Sequence, residues 1–544
     1  MLKILIRIFF AALLSFAMIL YGYTQLVHEV GKPAFKTDTF NIVNYGAKAD
    51  GITLNTKSIS EAINDCNKKG GGVVLVPNGF WLTGPVILLS NVNLCIAKNA
   101  LLQFTDDKTQ YKLIEGNYEG LPAYRNQSPL SAINAENIAI TGDGIIDGNG
   151  GAWRAVNRDK VSDIEWNALL KEGGIVKEDG SLWYPSQGYA RGTQVKNPGV
   201  IVPGKTIKDY DSIKDFLRPN LLVFTKCKKV LLEGVTFQNS PAWCLHPLMC
   251  EDLTVRNIYA KNPWYAQNGD GIDVESCSNV LIEGSTFDVG DDGICIKSGR
   301  NEEGRKRGMP TQNVEVKNCI VYHAHGGFVI GSEMSGGAKD IYVHDCTFIG
   351  TDIGLRFKTV RGRGGVVEKI YASNINMKDI VGAAVSFDMY YFASPKIVNG
   401  IPQVEFEPVT EATPTFKDFY INNVACNGAA EAIFIRGIPE MHIANINLSN
   451  MVLQADEGIE CIEATGINFK HIQLAVKQTS PVISIINSDK ILFDNIGYNV
   501  NAALLMKLSG DRTKDIKIVN SNTANAKQLA VFNAGTDKSA LVKD

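Results

Sequence analysis

Apolar and polar positions alternate along this chain in short runs, and the runs recur. VLLEGVTF from Val230, LTVRNIYA from Leu253, VLIEGSTF from Val280, VEVKNCIV from Val314 and IYVHDCTF from Ile341 are one phrase written five times, at intervals of 23, 27, 34 and 27 residues. The period-two alternation and β-branched content predict strands. A repeat in the twenties with loops of variable length predicts a solenoid. The fold class expected is therefore all-β, a parallel β-helix.

A second strand in each coil aligns without gaps: IDVES after Gly271, ICIKS after Gly293, FVIGS after Gly327 and LRFKT after Gly354. Side chains alternate faces along a strand. Ile272, Ile294, Phe328 and Leu355 then form one core column, and Val274, Ile296, Ile330 and Phe357 a second. Asp273, Cys295, Val329 and Arg356, then Glu275, Lys297, Gly331 and Lys358, point outward. Ile59, Ala62, Ile63 and Cys66 follow a helical period instead, ended by Gly70-Gly71-Gly72. They predict an N-terminal helix that caps the open first coil and protects its edge. Strand phrases continue through FYINNVAC from Phe419 and ILFDNIGY from Ile491.

Composition refines this picture. A length of 544 residues would ordinarily suggest several domains, but a solenoid grows by adding coils, so residues 25–544 are expected to form a single parallel β-helix catalytic domain. Insertions near 111–135, 150–218 and 388–415 interrupt it. With 54 basic and 57 acidic residues the net charge is −3, which excludes the basic excess of a nucleic-acid-binding protein. The 51 glycines are read as corner residues that hold the polar motifs in register. Lys3 and Arg7 precede an apolar run from Phe9 to Leu20 that is too short to span a membrane. Residues 1–24 are therefore read as a signal peptide, and the expected location is periplasmic or secreted, with no membrane insertion after cleavage. The 11 cysteines follow the lattice of coils: stacked small apolar residues are the main reading, and bridging between adjacent coils stays open on Cα distance.

The polar motifs fall on one face of the lattice. Asp270 and Asp292 each immediately precede their Gly and stack on neighbouring coils. Asp291 and His325 each lie two before theirs and stack likewise. Arg356 and Lys358 lie one coil beyond. Carboxylates held this close cannot all ionise, so at least one stays protonated beside an ionised neighbour, the acid–base pair that glycoside hydrolysis requires. His323 with His325 makes an H-x-H pair that has no further ligands, so no metal and no cofactor is expected. The run Arg305-Lys306-Arg307 is solvated surface or a substrate contact. Tyr390 and Tyr391, one coil on, are candidates for stacking on a sugar ring.

In order, Asn268-Gly269-Asp270, Gly290-Asp291-Asp292, Ala324-His325-Gly326 and Arg356-Phe357-Lys358 resemble the four motifs of glycoside hydrolase family 28, the polygalacturonases. GDDGICIKSG, HGGFVIGSEMSGG and GLRFKTVRGRGG resemble its bacterial, exo-polygalacturonase-like branch. FNIVNYGAKADG, NIAITGDGIIDGNG and RPNLLVF extend the match over residues 40–500. Gly269, Ala324 and Phe357 depart from the family pattern without removing a reacting group. The resemblance implies a single-stranded right-handed parallel β-helix of the pectin-lyase-like class and an inverting hydrolase of α-1,4-galacturonosidic bonds. It implies Asp291 as general acid, Asp270 and Asp292 as activators of water, His325 as support for the acid, and Arg356 and Lys358, with Asn268 and Tyr390, as substrate-binding residues. A carboxyl separation of about 6.5–9.5 Å is expected for inversion.

The expected partner is a pectic oligo- or polysaccharide, with the protein acting as a monomer. Exo action on oligogalacturonides is favoured because the insertions can wall off one end of a groove. A rhamnogalacturonan or substituted-galacturonan hydrolase, a calcium-dependent pectate-lyase-like eliminase, and a non-catalytic β-helical binding module are the competing readings.

Overall fold

In a computed structural model, residues 29–391, 393, 395–398 and 401–544 are described. The expected signal peptide lies outside the described residues. Among the described residues no helix is long and apolar enough to cross a membrane.

The chain winds as a right-handed parallel β-helix. Each coil carries up to three strands. In the coil of the second aspartate pair these are Asp292–Lys297, Thr311–Lys317 and Ile320–Tyr322. Strands of the first kind stack into a 14-stranded sheet, and the other two kinds form a 24-stranded sheet. The register is the one read from the sequence. Val230 pairs with Leu253, Leu253 with Val280, Val280 with Val314 and Val314 with Ile341. Ile272, Ile294, Phe328 and Leu355 align in turn and are fully buried, as are Val274, Ile296, Ile330 and Phe357. One hydrophobic core runs from Phe40 to Ile518. The helix Thr56–Lys68 covers its first coil with Ile59, Ala62, Ile63 and Cys66, all buried.

The three insertions carry antiparallel structure, unlike the solenoid. Leu113–Tyr118 and Leu121–Asn126 form a hairpin. Val156–Asn157, Ile175–Val176 and Leu182–Tyr184 form a small sheet beside the helix Asp163–Glu172, packed on Trp166 and Trp183. Lys396–Val398 pairs with Ile401–Gln403. All 11 cysteines are free. Cys227, Cys250 and Cys277 form a thiol ladder in which the Cys250 backbone N–H donates to Cys277 Sγ at 3.3 Å, and burial pushes the Cys250 thiol well above its usual range.

Gly and Asn share the corners. The column of left-handed residues that turns one strand into the next holds Gly234 and Gly284, at φ 79° and 61°, among Asn257, Asn318, Asp345, Asn374, Asn423 and Asn450, at φ of 52–56°. Their short amides tolerate that conformation and bond to the coils above and below. The glycines at the start of the strands Asp292–Lys297 and Gly326–Ile330 act through space, not through φ. A Cβ on Gly293 would stand 2.4 Å from Val321 Cγ1, and one on Gly327 would stand 2.4 Å from the Phe348 ring. They let the backbone lie on the core as the chain enters the site.

Asn374 sits at φ 56°, donates to Asp345 Oδ1 at 2.9 Å and accepts from Asn423 at 2.8 Å. Asn374→Ala puts an alanine in the left-handed region, at a cost of about 1–2 kcal/mol, while Asn374→Gly loses less. Urea denaturation of both variants measures the difference, and equal stability of Ala and Gly would refute the conformational reading.

Candidate active site

The stacked strands bring the predicted residues together. One oxygen from each of Asp270, Asp291 and Asp292 lies within 4.8 Å of the others. This is tighter than the separation expected for an inverting pair. The reason is the ladder itself: residues stacked on adjacent coils are held at the inter-strand spacing of about 4.8 Å. The carboxyl spacing therefore does not by itself assign the stereochemical course.

The three aspartates are unlike in environment. Asp292 is 1% exposed, and burial alone would raise its pKa. Lys358 Nζ at 2.7 Å and Arg356 Nη1 at 3.5 Å reverse this and hold it well below the usual carboxylate range. Asp270 is also buried but has no such partner. Desolvation, with Asp273 and Asp291 nearby, pushes it well above the usual range, and its Oδ1 is buried without a hydrogen bond. Asp291 is the more accessible carboxylate. His325 Nδ1 lies 3.1 Å from its Oδ1, and the His325 backbone N–H donates to the Asp291 carbonyl at 2.9 Å. The hydrogen bond to Asp291 raises the His325 pKa, and Asp352, 3.8 Å from Nε2, adds to it. Asp270, kept toward its neutral form, thus stands beside Asp292, fixed as an anion.

Arg356 and Lys358 open a cavity of about 550 Å³ that extends toward the C-terminal coils. Tyr391 lines it, with its ring centroid 5.2 Å from the Arg356 guanidinium carbon and 5.0 Å from Lys358 Nζ. Tyr390 is placed differently. It packs against the core between Arg361 and Arg436 and does not line the cavity, so of the two tyrosines Tyr391 holds the stacking position. Asn268, at φ 52°, accepts from Arg218 Nη2 at 2.8 Å and lines a small cleft with Tyr118, Arg125 and Trp243. It fixes Arg218 at the opposite end of the groove.

The outward columns are not solvent-exposed as alternation suggested. Asp273 and Glu275 are 0% exposed and Lys297 is 4% exposed, because loops and insertions cover this face. Lys297 Nζ lies 3.6 Å from Asp273 and 3.1 Å from Glu333, under the Trp243 ring. Burial opposes its charge, yet Cys295, Glu333 and Asp273 around it hold its pKa above the usual range. Glu333, buried as well, is kept at about 2 by Lys297 and Arg363. His246, Glu275 and Arg307 form a second buried set, at 2.9 and 2.6 Å. The sequence reading missed these networks. Their only signal was charge in strand columns, which alternation assigns to the surface. The Arg305-Lys306-Arg307 run is structural: Arg305 binds the Gly362 and Arg363 carbonyls, Arg307 binds Glu275, and Lys306 pairs with Glu302. His323 pairs with Asp288 at 3.0 Å, apart from His325.

Lys358→Met leaves Asp292 buried with Arg356 and the more distant Lys297 but without its hydrogen-bonded cation. Its carboxyl pKa then rises, and the acidic limb of kcat/KM moves up by roughly one to two pH units, with activity reduced throughout. A pH–rate profile checks this, and an unmoved limb would show that Lys358 does not hold the Asp292 charge.

Comparison with known proteins agrees with this geometry. The model for "Glycosyl hydrolases family 28" matches residues 204–438, and that for "Rhamnogalacturonase A/epimerase, pectate lyase-like" matches residues 39–192. A probable polygalacturonase of Vitis vinifera is 27% identical over 423 residues, covering 76% of this chain and 74% of that protein. An exo-poly-α-D-galacturonosidase of Dickeya chrysanthemi is 29% identical over 408 residues, covering 73% of this chain and 64% of that protein. The crystal structure of a hyperthermoactive exopolygalacturonase from Thermotoga maritima superposes with a TM-score of 0.63 at 29% identity, over 84% of this chain and 93% of that one. The family model spans the coils that carry the aspartates, His325, Arg356 and Lys358, so it is over residues 204–438 that the chain matches glycosyl hydrolase family 28.

Proposed function

We propose that the protein hydrolyses α-1,4-galacturonosidic bonds and removes single galacturonate units from the non-reducing end of pectic chains. The observation that carries this is Asp292 held as an anion by Lys358 and Arg356 next to the buried Asp270 and the more accessible Asp291, with both cations also facing a sugar-sized cavity. Arg offers a planar fork and Lys a point charge to a sugar carboxylate.

Asp291 is the accessible acid and donates its proton to the leaving oxygen. His325 Nδ1, at Asp291 Oδ1, then donates to the carboxylate that forms. The ionised Asp292 orients the attacking water and takes its proton, while Asp270 holds that water in place. The inverting course rests on the family's chemistry.

The exo reading is supported by the hairpin Leu113–Asn126. Its Gly120 carbonyl accepts from the Arg300 backbone N–H at 3.4 Å, Glu119 pairs with Arg300 at 3.0 Å, and Asn117 reaches Glu275 at 3.4 Å. The hairpin therefore crosses to the coil of Asp292 on the side of Arg218 and Asn268, opposite the cavity. The periplasmic or secreted location of the protein that belongs to this reading is supported by the n-region and apolar run at residues 3–20.

On long polygalacturonate the expected product is monogalacturonate with little early loss of viscosity. A rapid viscosity drop with mixed oligomers would refute the exo assignment. Replacing residues 114–125 with a short turn opens that end, and mixed oligomers then appear. Asp291→Asn loses at least about 10³-fold in kcat with the fold intact.

A further inference from the structure

The cavity beyond Arg356 and Lys358 changes character along its length. The outward column of the 14-stranded sheet runs Arg356, Ser386, Phe434, Glu460 in consecutive register. At about 4.8 Å per coil, Glu460 stands roughly 14 Å from Arg356. The cavity wall at that end carries Glu431, Asp456 and Glu457 beside the Phe434 ring. Asp456 is paired with Lys477. Glu431, Glu457 and Glu460 have no ion-pair partner among the described residues. Arg436 lies over one face of the Phe434 ring at 5.3 Å, but its fork is bound to Asp388 at 2.9 and 2.8 Å, and Lys507 lies two strands beyond Glu460 in the same column. Burial, with Glu460 and Glu457 alongside, pushes Glu431 up to about 8, so at neutral pH Glu431 is mostly the neutral acid and the charge at that end rests on Glu457 and Glu460.

One cavity thus has a cationic mouth at the catalytic aspartates and an acidic, aromatic far end. A carboxylated sugar suits the mouth. At the far end it would meet like charge, a juxtaposition that costs binding energy. An uncharged ring meets carboxyl oxygens that accept its hydroxyls and an aromatic face that packs against its C–H surface. Resting on the galacturonidase reading above, we propose that the subsite lined by Phe434, Glu431 and Glu457 selects an uncharged sugar, either neutral or methyl-esterified, next to the galacturonate held by Arg356 and Lys358. The enzyme then prefers digalacturonate, or galacturonate followed by uncharged units, over long unesterified chains.

The test compares kcat/KM at neutral pH for trigalacturonate, trigalacturonate methyl-esterified on its reducing-end unit, and the same trisaccharide with a neutral sugar there. The expected result is a preference of about tenfold or more for both uncharged forms, narrowing in the Glu457→Gln/Glu460→Gln double variant. Preference for the ester alone identifies esterified pectin as the source of the uncharged ring. Equal or faster cleavage of trigalacturonate overturns the inference while leaving the galacturonidase reading standing. Stimulation of trigalacturonate cleavage by added calcium overturns it too, because a cation would then bridge the two sets of carboxylates. Failure to cleave all three refutes the galacturonidase reading and this inference together.

Discussion

In-register stacking of parallel coils is the constraint on which the rest of this molecule depends. The backbone ladder fixes neighbours on adjacent coils at about 4.8 Å whatever their side chains prefer. In the core that spacing stacks Ile on Ile and Phe on Leu at no cost. At the mouth of the site it forces Asp270 beside Asp292 and Asp291 beside His325. The strained electrostatics are thus imposed by the same hydrogen bonds that stabilise the fold.

Charge balance follows from that constraint. Buried carboxylates persist as anions only where cations are buried with them. Lys358 and Arg356 neutralise Asp292, and Lys297 and Arg363 neutralise Glu333. Asp270 and Asp273 are left short, and both are pushed up by desolvation. The imbalance lies where a hydrolase needs a mobile proton. The compensating cations come from strands one to three coils away, so no local stretch of chain holds the site alone. The insertions complete it: they bury the outward columns, close one end of the groove and leave the other end open toward the acidic coils.

Much of this was legible in the sequence. The strand phrases, both core columns, the capping helix and the stacking of Asp270, Asp291, Asp292, His325, Arg356 and Lys358 all follow from period-two alternation and coil length, because a solenoid turns sequence spacing directly into neighbourhood. Gly and Asn do share the left-handed corners. Asn has glycine's tolerance of left-handed φ and adds an amide ladder, which composition alone does not reveal.

The sequence by itself determined which residues stack, since register in a parallel ladder is set by local alternation. Only the tertiary structure decided which outward residues are buried, how close the carboxylates stand, and which of Tyr390 and Tyr391 faces the cavity. Those outcomes depend on insertions folding back over distant coils. The contacts they make, such as Asn117 with Glu275 or Arg363 with Glu333, join positions that no periodicity connects.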